Sequence, residues 1–223
     1  MQVVKQLKAT EMILSKFKPD VPILVEDILK MFPDRSRQWV DNTSSNMTAS
    51  KQLIRYSTGV YYIPSSTGRG SSKLNPYKVI EKKYITDGDS VYGYYGDKYL
   101  LRKMGLIQMF PEVITIVTNH EKSRGRNIRV GDKEVYLIKS PTEITKENQP
   151  ILQLLEVIRL IDVNALSGTE KEHLINYILN HRITITDIRQ YCEYFPDIVA
   201  KRILTGYVYD FLQYNERKIN KER

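Results

Sequence analysis

The chain is poor in the residues that build disulfide scaffolds, zinc sites and membrane spans. Its 223 residues include one cysteine, Cys192, and three histidines. A single cysteine cannot form an internal disulfide or complete a zinc site, and it fits a reducing compartment. No apolar run approaches the roughly 20 residues that cross a bilayer, and the first 20 residues lack the apolar core of a signal peptide. We therefore expect a cytoplasmic protein without a metal or other cofactor.

Sequence motifs of catalysis are also missing, with one weak exception. There is no G-x-S-x-G elbow for an acyl-transfer serine, and Gly68 and Gly70 lack the spacing of a phosphate-binding loop. Glu81 and Lys83 form the E-x-K element of a metal-dependent nuclease, which would also need an upstream aspartate such as Asp34. Because Asp34 belongs to a turn, we predict that the protein is not an enzyme, and we keep a nuclease as an alternative.

What the sequence does have is an excess of positive charge near its N-terminus. The chain carries 34 Lys and Arg against 26 Asp and Glu, a net charge of +8. Residues 1–80 carry 12 basic and 6 acidic side chains, residues 81–140 carry 11 and 8, and residues 141–223 carry 11 and 12. A basic N-terminal part on a neutral C-terminal body indicates a polyanion partner for the first part. A basic surface that serves only solubility stays open as an alternative.

Hydrophobic periodicity predicts three short helices at the start of the chain. Apolar residues recur at helical spacing in residues 3–17 and again in residues 24–32, where Pro33 ends the second helix. Asp34 or Ser36 is available as the N-cap of the third helix, whose apolar side includes Val40 and Met47. Residues 42–50 have poor helix propensity, so we expect a break near residues 44–48.

A β-ribbon is predicted after the third helix. Residues 60–63 are aromatic and β-branched, which predicts a strand that Pro64 ends. Residues 65–75 are rich in serine, glycine and basic side chains, so we expect a mobile basic loop without secondary structure. Three short helices followed by a β-ribbon is the order of a winged helix-turn-helix, and we assign residues 1–80 to a DNA-binding domain of that kind.

The third helix carries most of the candidate DNA-binding residues. Its polar side presents Gln38, Asn42 and Ser45, whose small and amide side chains can reach base edges in the major groove. Basic residues bracket that side, where they can neutralise phosphates. The predicted DNA-binding residues are Arg35, Ser36, Arg37, Gln38, Asn42, Ser45, Lys51, Arg55, Arg69 and Lys73. A three-helix bundle with a solvated polar face, or a winged helix used for protein contacts, stays open as an alternative.

Residues 81–223 form the predicted second domain, α+β over residues 81–140 and mainly helical over residues 141–223. Residues 113–118 predict a buried strand, and residues 127–139 a hairpin that turns at Gly131 and Asp132. The polar segment 120–126 is either a solvated loop or a second contact to a phosphate backbone. Pro196 starts one last helix, whose inner face includes Ile203 and Leu212 and whose end, residues 218–223, is expected to fray. The predicted fold class is α+β.

Several segments of the first 140 residues resemble a known family. They are the strand Gly59-Val60-Tyr61, the segment YGYYGDKYLLRKMGL at residues 92–106, VITIVTN at residues 113–119 and RNIRVG at residues 126–131. Together they resemble the AbiEi family, the antitoxins of type IV toxin–antitoxin systems linked to abortive phage infection. The resemblance covers residues 10–140, and the helical remainder by order and length only.

The resemblance implies a two-domain cytoplasmic antitoxin. Its winged helix would bind double-stranded DNA at inverted repeats in its own operator and repress the operon. Its C-terminal domain would counteract a cognate nucleotidyltransferase toxin of the AbiEii type, without needing a stable complex with it. Base reading falls on the polar side of the third helix, and phosphate contacts fall on its basic flanks and the wing loop. The alternatives are a metal-dependent nuclease with a winged-helix targeting domain and a winged-helix adaptor that never touches DNA.

Overall fold

The computed structural model describes the backbone of residues 2–67 and 70–222 and the side chains of residues 8–66 and 70–222. The chain divides into an N-terminal unit, residues 1–83 with 130–132, and a C-terminal unit, residues 84–129 with 133–223. Helices and strands both contribute, so the fold class is α+β, as predicted. In the described part, no helix has the length and apolar character that crossing a membrane requires.

The described residues form the following elements. The α-helices are α1 (Gln2–Lys16), α2 (Val25–Met31), α3 (Arg37–Ala49), α4 (Pro76–Tyr84), α5 (Asp97–Lys103), α6 (Gln149–Leu160), α7 (Gly168–Asn180), α8 (Ile185–Tyr191), α9 (Asp197–Leu204) and α10 (Tyr207–Glu222). The strands are β1 (Ile23–Leu24), β2 (Ile54–Ser57), β3 (Val60–Tyr62), β4 (Ser66–Thr67), β5 (Gly70–Ser71), β6 (Thr86–Asp87), β7 (Ser90–Val91), β8 (Gly93–Tyr95), β9 (Val113–Thr118), β10 (Gly125–Val130) and β11 (Lys133–Lys139). Two short 3₁₀ helices are Val163–Ala165 and Cys192–Tyr194.

The N-terminal unit packs α1, α2 and α3 against a three-stranded sheet in the order β1-β3-β2. Both pairings are antiparallel, with Ile23 opposite Tyr61 in one and Ile54 opposite Tyr62 in the other. Gly59 closes the β2–β3 turn at φ +72°, a left-handed conformation that glycine adopts without strain. The buried side chains of this core are Ile13, Ile23, Val25, Ile28, Val40, Met47, Leu53 and Tyr61.

An ion pair ties α2 to α4 within this unit. The backbone N–H of Leu24 donates to Asp27 Oδ2 at 2.8 Å, which satisfies a free donor at the start of α2. Lys82 Nζ lies 3.1 Å from the same oxygen, and the side chains of Lys82 and Asp27 are only 17% and 9% exposed. Helix α4, which sequence reasoning did not predict, is thereby joined to the helical core.

The expected break in the third helix is wrong. Helix α3 runs without interruption from Arg37 to Ala49, through residues of poor helix propensity. Its inner face buries Val40, Thr43, Ser44 and Met47. Burial of this face stabilises α3 by more than the poor helix propensity of residues 42–50 destabilises it, since tertiary packing routinely overrides propensity.

The expected unstructured loop at residues 65–75 is also wrong. Strands β4 and β5 pair antiparallel there, with Ser66 opposite Ser71. The carboxylate of Asp20 holds the base of this hairpin by accepting hydrogen bonds from the hydroxyls of Ser65 (2.6 Å) and Ser72. These bonds hold the pKa of Asp20 below its usual range, because they favour the charged form.

The C-terminal unit contains a four-stranded sheet in the order β10-β11-β9-β8. Strand β11 pairs parallel with β9, Val135 opposite Ile114, and β8 pairs antiparallel with β9, Tyr94 opposite Val117. The predicted buried strand at residues 113–118 and the predicted hairpin β10–β11 are both confirmed. Helix α6 is buried on almost every side, and the helical core around it includes Leu154, Leu155, Ile158, Leu174, Ile178, Ile188, Val199, Ile203, Val208 and Leu212.

The last helix of the sequence prediction is two helices in the structure. Helix α9 ends at Leu204, whose side chain is exposed, and α10 starts at Tyr207 after a connection through Thr205 and Gly206. The fraying expected after residue 217 is wrong as far as residue 222. Helix α10 continues to Glu222, whose Oε2 accepts a hydrogen bond from Arg182 Nη2 at 2.6 Å.

Candidate nucleic-acid interface

Helix α3 begins where the sequence predicts. Ser36 is its N-cap, with extended backbone dihedrals, and the Ser36 Oγ accepts a hydrogen bond from the backbone N–H of Trp39 at 3.2 Å. This bond satisfies one of the free donors of the first turn. The Ser36 oxygen accepts in it, which leaves the O–H hydrogen to donate. The Trp39 ring packs edge-on against Phe32 with ring centroids 5.2 Å apart, which fixes the start of α3 against the end of α2.

The outward face of α3 presents the predicted base-contacting side chains. Gln38, Asn42 and Ser45 are all exposed. Gln38 Nε2 donates a hydrogen bond to Asn42 Oδ1 at 3.2 Å. Ser45 Oγ donates its hydrogen to the backbone carbonyl of Asp41 at 2.8 Å, which leaves this hydroxyl as an acceptor toward solvent.

Two arginines stand at the N-terminal end of this face. The Arg35 guanidinium lies over the Trp39 ring, 5.2 Å from its centroid, and its side chain is exposed. Arg37 Nη1 lies 3.1 Å from Glu26 Oε1, and both side chains are more than half exposed. Both guanidiniums are therefore held in place on one side while they keep donors available to a phosphate.

Two further cations stand beyond the C-terminal end of α3. Lys51 is exposed and adopts φ +60°, in the turn that leads from α3 toward β2. Arg55 is exposed on β2, opposite Tyr61 of β3. The four predicted cations Arg35, Arg37, Lys51 and Arg55 thus flank α3 at its two ends, and the three small polar side chains lie between them in sequence.

The remaining two predicted residues belong to the β4–β5 hairpin region. Lys73 is exposed, just after β5. Arg69 lies outside the described residues. The hairpin is separate from the β2–β3 turn, where residues 58 and 59 alone join the two strands of the ribbon. The ribbon that follows α3 therefore turns at residues 58 and 59, and not in the basic segment 65–75. Lys73 follows a second hairpin, β4–β5.

Sequence reasoning missed one charged residue of this surface. Glu26 lies in the first turn of α2 and forms the ion pair with Arg37, eleven residues further along the chain. No local pattern predicts this contact, because it depends on how α2 and α3 pack. The bond between Gln38 and Asn42 is different, since residues four apart on a helix are neighbours and the spacing alone indicates it.

The residues of the nuclease alternative lie on different elements. Glu81 and Lys83 are on α4, whose Lys82 forms the ion pair with Asp27, and Asp34 is exposed in the turn before α3. Among the residues that the structure describes, no group of three or more His, Cys, Asp or Glu side chains is placed to hold a metal ion.

Comparison of the chain with protein-family models, with curated proteins and with solved structures found no match.

Proposed function

We propose that the N-terminal unit is a winged helix-turn-helix that binds double-stranded DNA, with α3 in the major groove. The support is the chain order α1-β1-α2-α3-β2-β3 and the sheet order β1-β3-β2. An α-helix fits the width of the major groove, and a helix used in this way reads base edges with its polar side chains.

One observation carries the proposal. An exposed row of amide and hydroxyl side chains on α3, Gln38, Asn42 and Ser45, is flanked in sequence by exposed cations on both sides. Phosphate contacts set the register of a protein on DNA, and base contacts give it specificity. The N-terminal unit has cations for phosphates and amide and hydroxyl groups for bases on α3 or next to it. Most of the net positive charge of the chain also lies in this part of the sequence.

The fuller role that we propose is that of an antitoxin and transcriptional autorepressor. In this role, the N-terminal unit binds inverted repeats in its own operator, and the C-terminal unit counteracts a nucleotidyltransferase toxin of the AbiEii type. Its support is the resemblance of residues 10–140 to the AbiEi family and the contrast between the basic N-terminal part and the neutral C-terminal part. No catalytic activity is part of this proposal.

A salt titration tests DNA binding. With about 4–6 phosphate contacts, the slope of log affinity against log salt should be roughly −4 to −5. Arg55→Ala should weaken binding to every duplex alike and make the slope shallower by about 0.9, because a phosphate contact carries no sequence information. Arg189→Ala is the matched control, since Arg189 is an exposed arginine of the C-terminal unit. A slope near zero for the wild type, or equal losses for the two variants, would contradict the proposal.

A cell assay tests the antitoxin role. The full-length chain is expressed together with the product of the adjacent gene, if that gene encodes a nucleotidyltransferase, and with a reporter under its own promoter. We expect a variant with Arg37→Ala, Asn42→Ala and Arg55→Ala to lose repression and still rescue growth. Loss of rescue in this variant would refute the division of labour between the units. Degradation of plasmid by the purified protein with Mg²⁺ would favour the nuclease.

A further inference from the structure

The polar face of α3 contains one pair of side chains that act on each other. Gln38 and Asn42 lie one turn apart, both are exposed, and Gln38 Nε2 donates to Asn42 Oδ1 at 3.2 Å. The amide of an unpartnered asparagine rotates broadly about its last side-chain torsion. The bond from Gln38 restricts this rotation, because the amide turned over would place its NH₂ against the donor of Gln38.

We propose that Asn42 reads an adenine in the major groove and that Gln38 is a positioning residue that orients the amide of Asn42 for this contact. The inference rests on the proposed DNA binding of α3. It adds the identity of the base and the division of roles between the two amides.

The chemistry of the bonded pair selects the base. Asn42 Oδ1 keeps a second lone pair, and Asn42 Nδ2 keeps both of its hydrogens. Adenine presents a donor at N6 and an acceptor at N7, so Oδ1 accepts from N6 and Nδ2 donates to N7. Guanine presents acceptors at both O6 and N7 and would face Oδ1 with a second acceptor.

The neighbouring side chain offers less information. Because Ser45 Oγ donates its hydrogen to the Asp41 carbonyl, it can accept from the amino groups of adenine or cytosine. Of the two bonded amides, Asn42 keeps both of its hydrogens and one oxygen lone pair for a base, whereas Gln38 already gives one of its two amide hydrogens to Asn42. We therefore assign the base discrimination to Asn42.

The test selects bound sequences from a pool of random DNA duplexes with the full-length protein. We expect the wild type to enrich sequences with adenine at a position where the other bases are disfavoured by roughly 5- to 150-fold, the range of a good bidentate contact. Asn42→Ala should remove the preference at that position. Asn42→Asp should change it to cytosine, because a carboxylate accepts from the cytosine amino group and cannot donate to adenine N7.

A double-mutant cycle with Asn42 tests the positioning role of Gln38. Gln38→Ala should lower the discrimination against the other bases at the same position several-fold, and it should have no further effect there in the Asn42→Ala background. Two exposed amides of the C-terminal unit provide matched controls, Gln108→Ala and Asn127→Ala, which should leave the selected sequences unchanged. Urea unfolding should place all five single variants close to the wild type, since these side chains are exposed.

The outcomes separate the inference from the proposed function. If the wild type enriches no sequence and its binding does not depend on salt, DNA binding itself is refuted and this inference fails with it. If the wild type enriches sequences that Asn42→Ala and Asn42→Asp leave unchanged, the inference is refuted and DNA binding stands. Independent, additive effects of Gln38→Ala and Asn42→Ala would refute the positioning role of Gln38.

Discussion

If the N-terminal unit binds DNA as proposed, removal of the Glu26 carboxylate should strengthen that binding. Glu26 Oε1 lies 3.1 Å from Arg37 Nη1, and the two side chains are 56% and 59% exposed. A phosphate oxygen would compete with this carboxylate for the same guanidinium, so part of the phosphate attraction is offset by loss of the ion pair. Exposed ion pairs contribute about 0.2–1 kcal/mol. We therefore expect Glu26→Gln to raise the affinity for any duplex by up to about fivefold.

The assay is a titration of a fluorescent duplex with the full-length protein at several salt concentrations. Release of Arg37 for a full phosphate contact should make the slope of log affinity against log salt more negative by up to about 0.9. The matched control is Glu11→Gln, because Glu11 is an exposed carboxylate on α1 of the same unit and its replacement changes the net charge equally. The free energy of unfolding should change by less than about 0.5 kcal/mol in either variant.

Three results would distinguish the possible roles of Glu26. A gain for Glu26→Gln that exceeds the gain for Glu11→Gln supports competition for Arg37. Equal gains would show that net charge alone matters and would refute the argument. A loss of affinity for Glu26→Gln would show that the carboxylate holds Arg37 in its DNA-binding position, which also refutes competition.

Two predictions concern the stability of the C-terminal unit. Glu121 is 4% exposed, and hydrogen bonds from Arg126 and a neighbouring serine lower its pKa to about 2. The charged Glu121 therefore stabilises the fold fully above the unfolded pKa of about 4.5, and this stabilisation is lost as the pH falls toward 2. We expect Glu121→Gln to lower the free energy of unfolding by about 1–3 kcal/mol at pH 7 and by much less at pH 2.5. Urea unfolding measures this, with Glu134→Gln as the exposed control. Gly105 has φ +73°, and a Cβ there would lie 2.3 Å from Nδ1 of His173. We expect Gly105→Ala to lower the free energy of unfolding by about 1–2 kcal/mol for the left-handed backbone, plus a cost for the clash with His173. Adding His173→Ala to this variant should remove only the cost of the clash. Full recovery of stability in the double variant would contradict this separation.

The elements that the sequence predicts correctly are those whose stability is local. The N-cap at Ser36 is confirmed because a serine at this place needs only a backbone N–H of the first helical turn, that of Trp39. The end of α5 is local in the same way, because Gly105, just after it, adopts a left-handed φ of +73° that favours glycine. The exposure of Gln38 and Asn42 follows from the 100° rotation per residue of a helix, so this part of the candidate site is also predictable.

The elements that the sequence missed depend on distant partners. Strand β1 is two residues long and exists through its pairing with β3, where Ile23 lies opposite Tyr61. The base of the β4–β5 hairpin is held by Asp20, which lies 45 residues before Ser65. The contact of Glu26 with Arg37 likewise depends on the packing of two helices. No local pattern contains this information.

The sequence of α3 is a poor guide to the stability of this helix. Residues 42–50 combine asparagine, serine and threonine, which compete with the helix by bonding to the nearby backbone. The structure contains this competition, since the hydroxyls of Ser45 and Thr48 both donate to carbonyls four residues back. Asparagine and serine are nevertheless side chains that can pair with base edges, because they are polar. If α3 reads DNA with these residues, its outer face has poor helix propensity, and the helix is stabilised from the inside, where Val40 and Met47 are buried. Met47→Ala should therefore cost about 2–5 kcal/mol and weaken DNA binding by unfolding α3, whereas changes to the outer face should weaken binding with the fold intact.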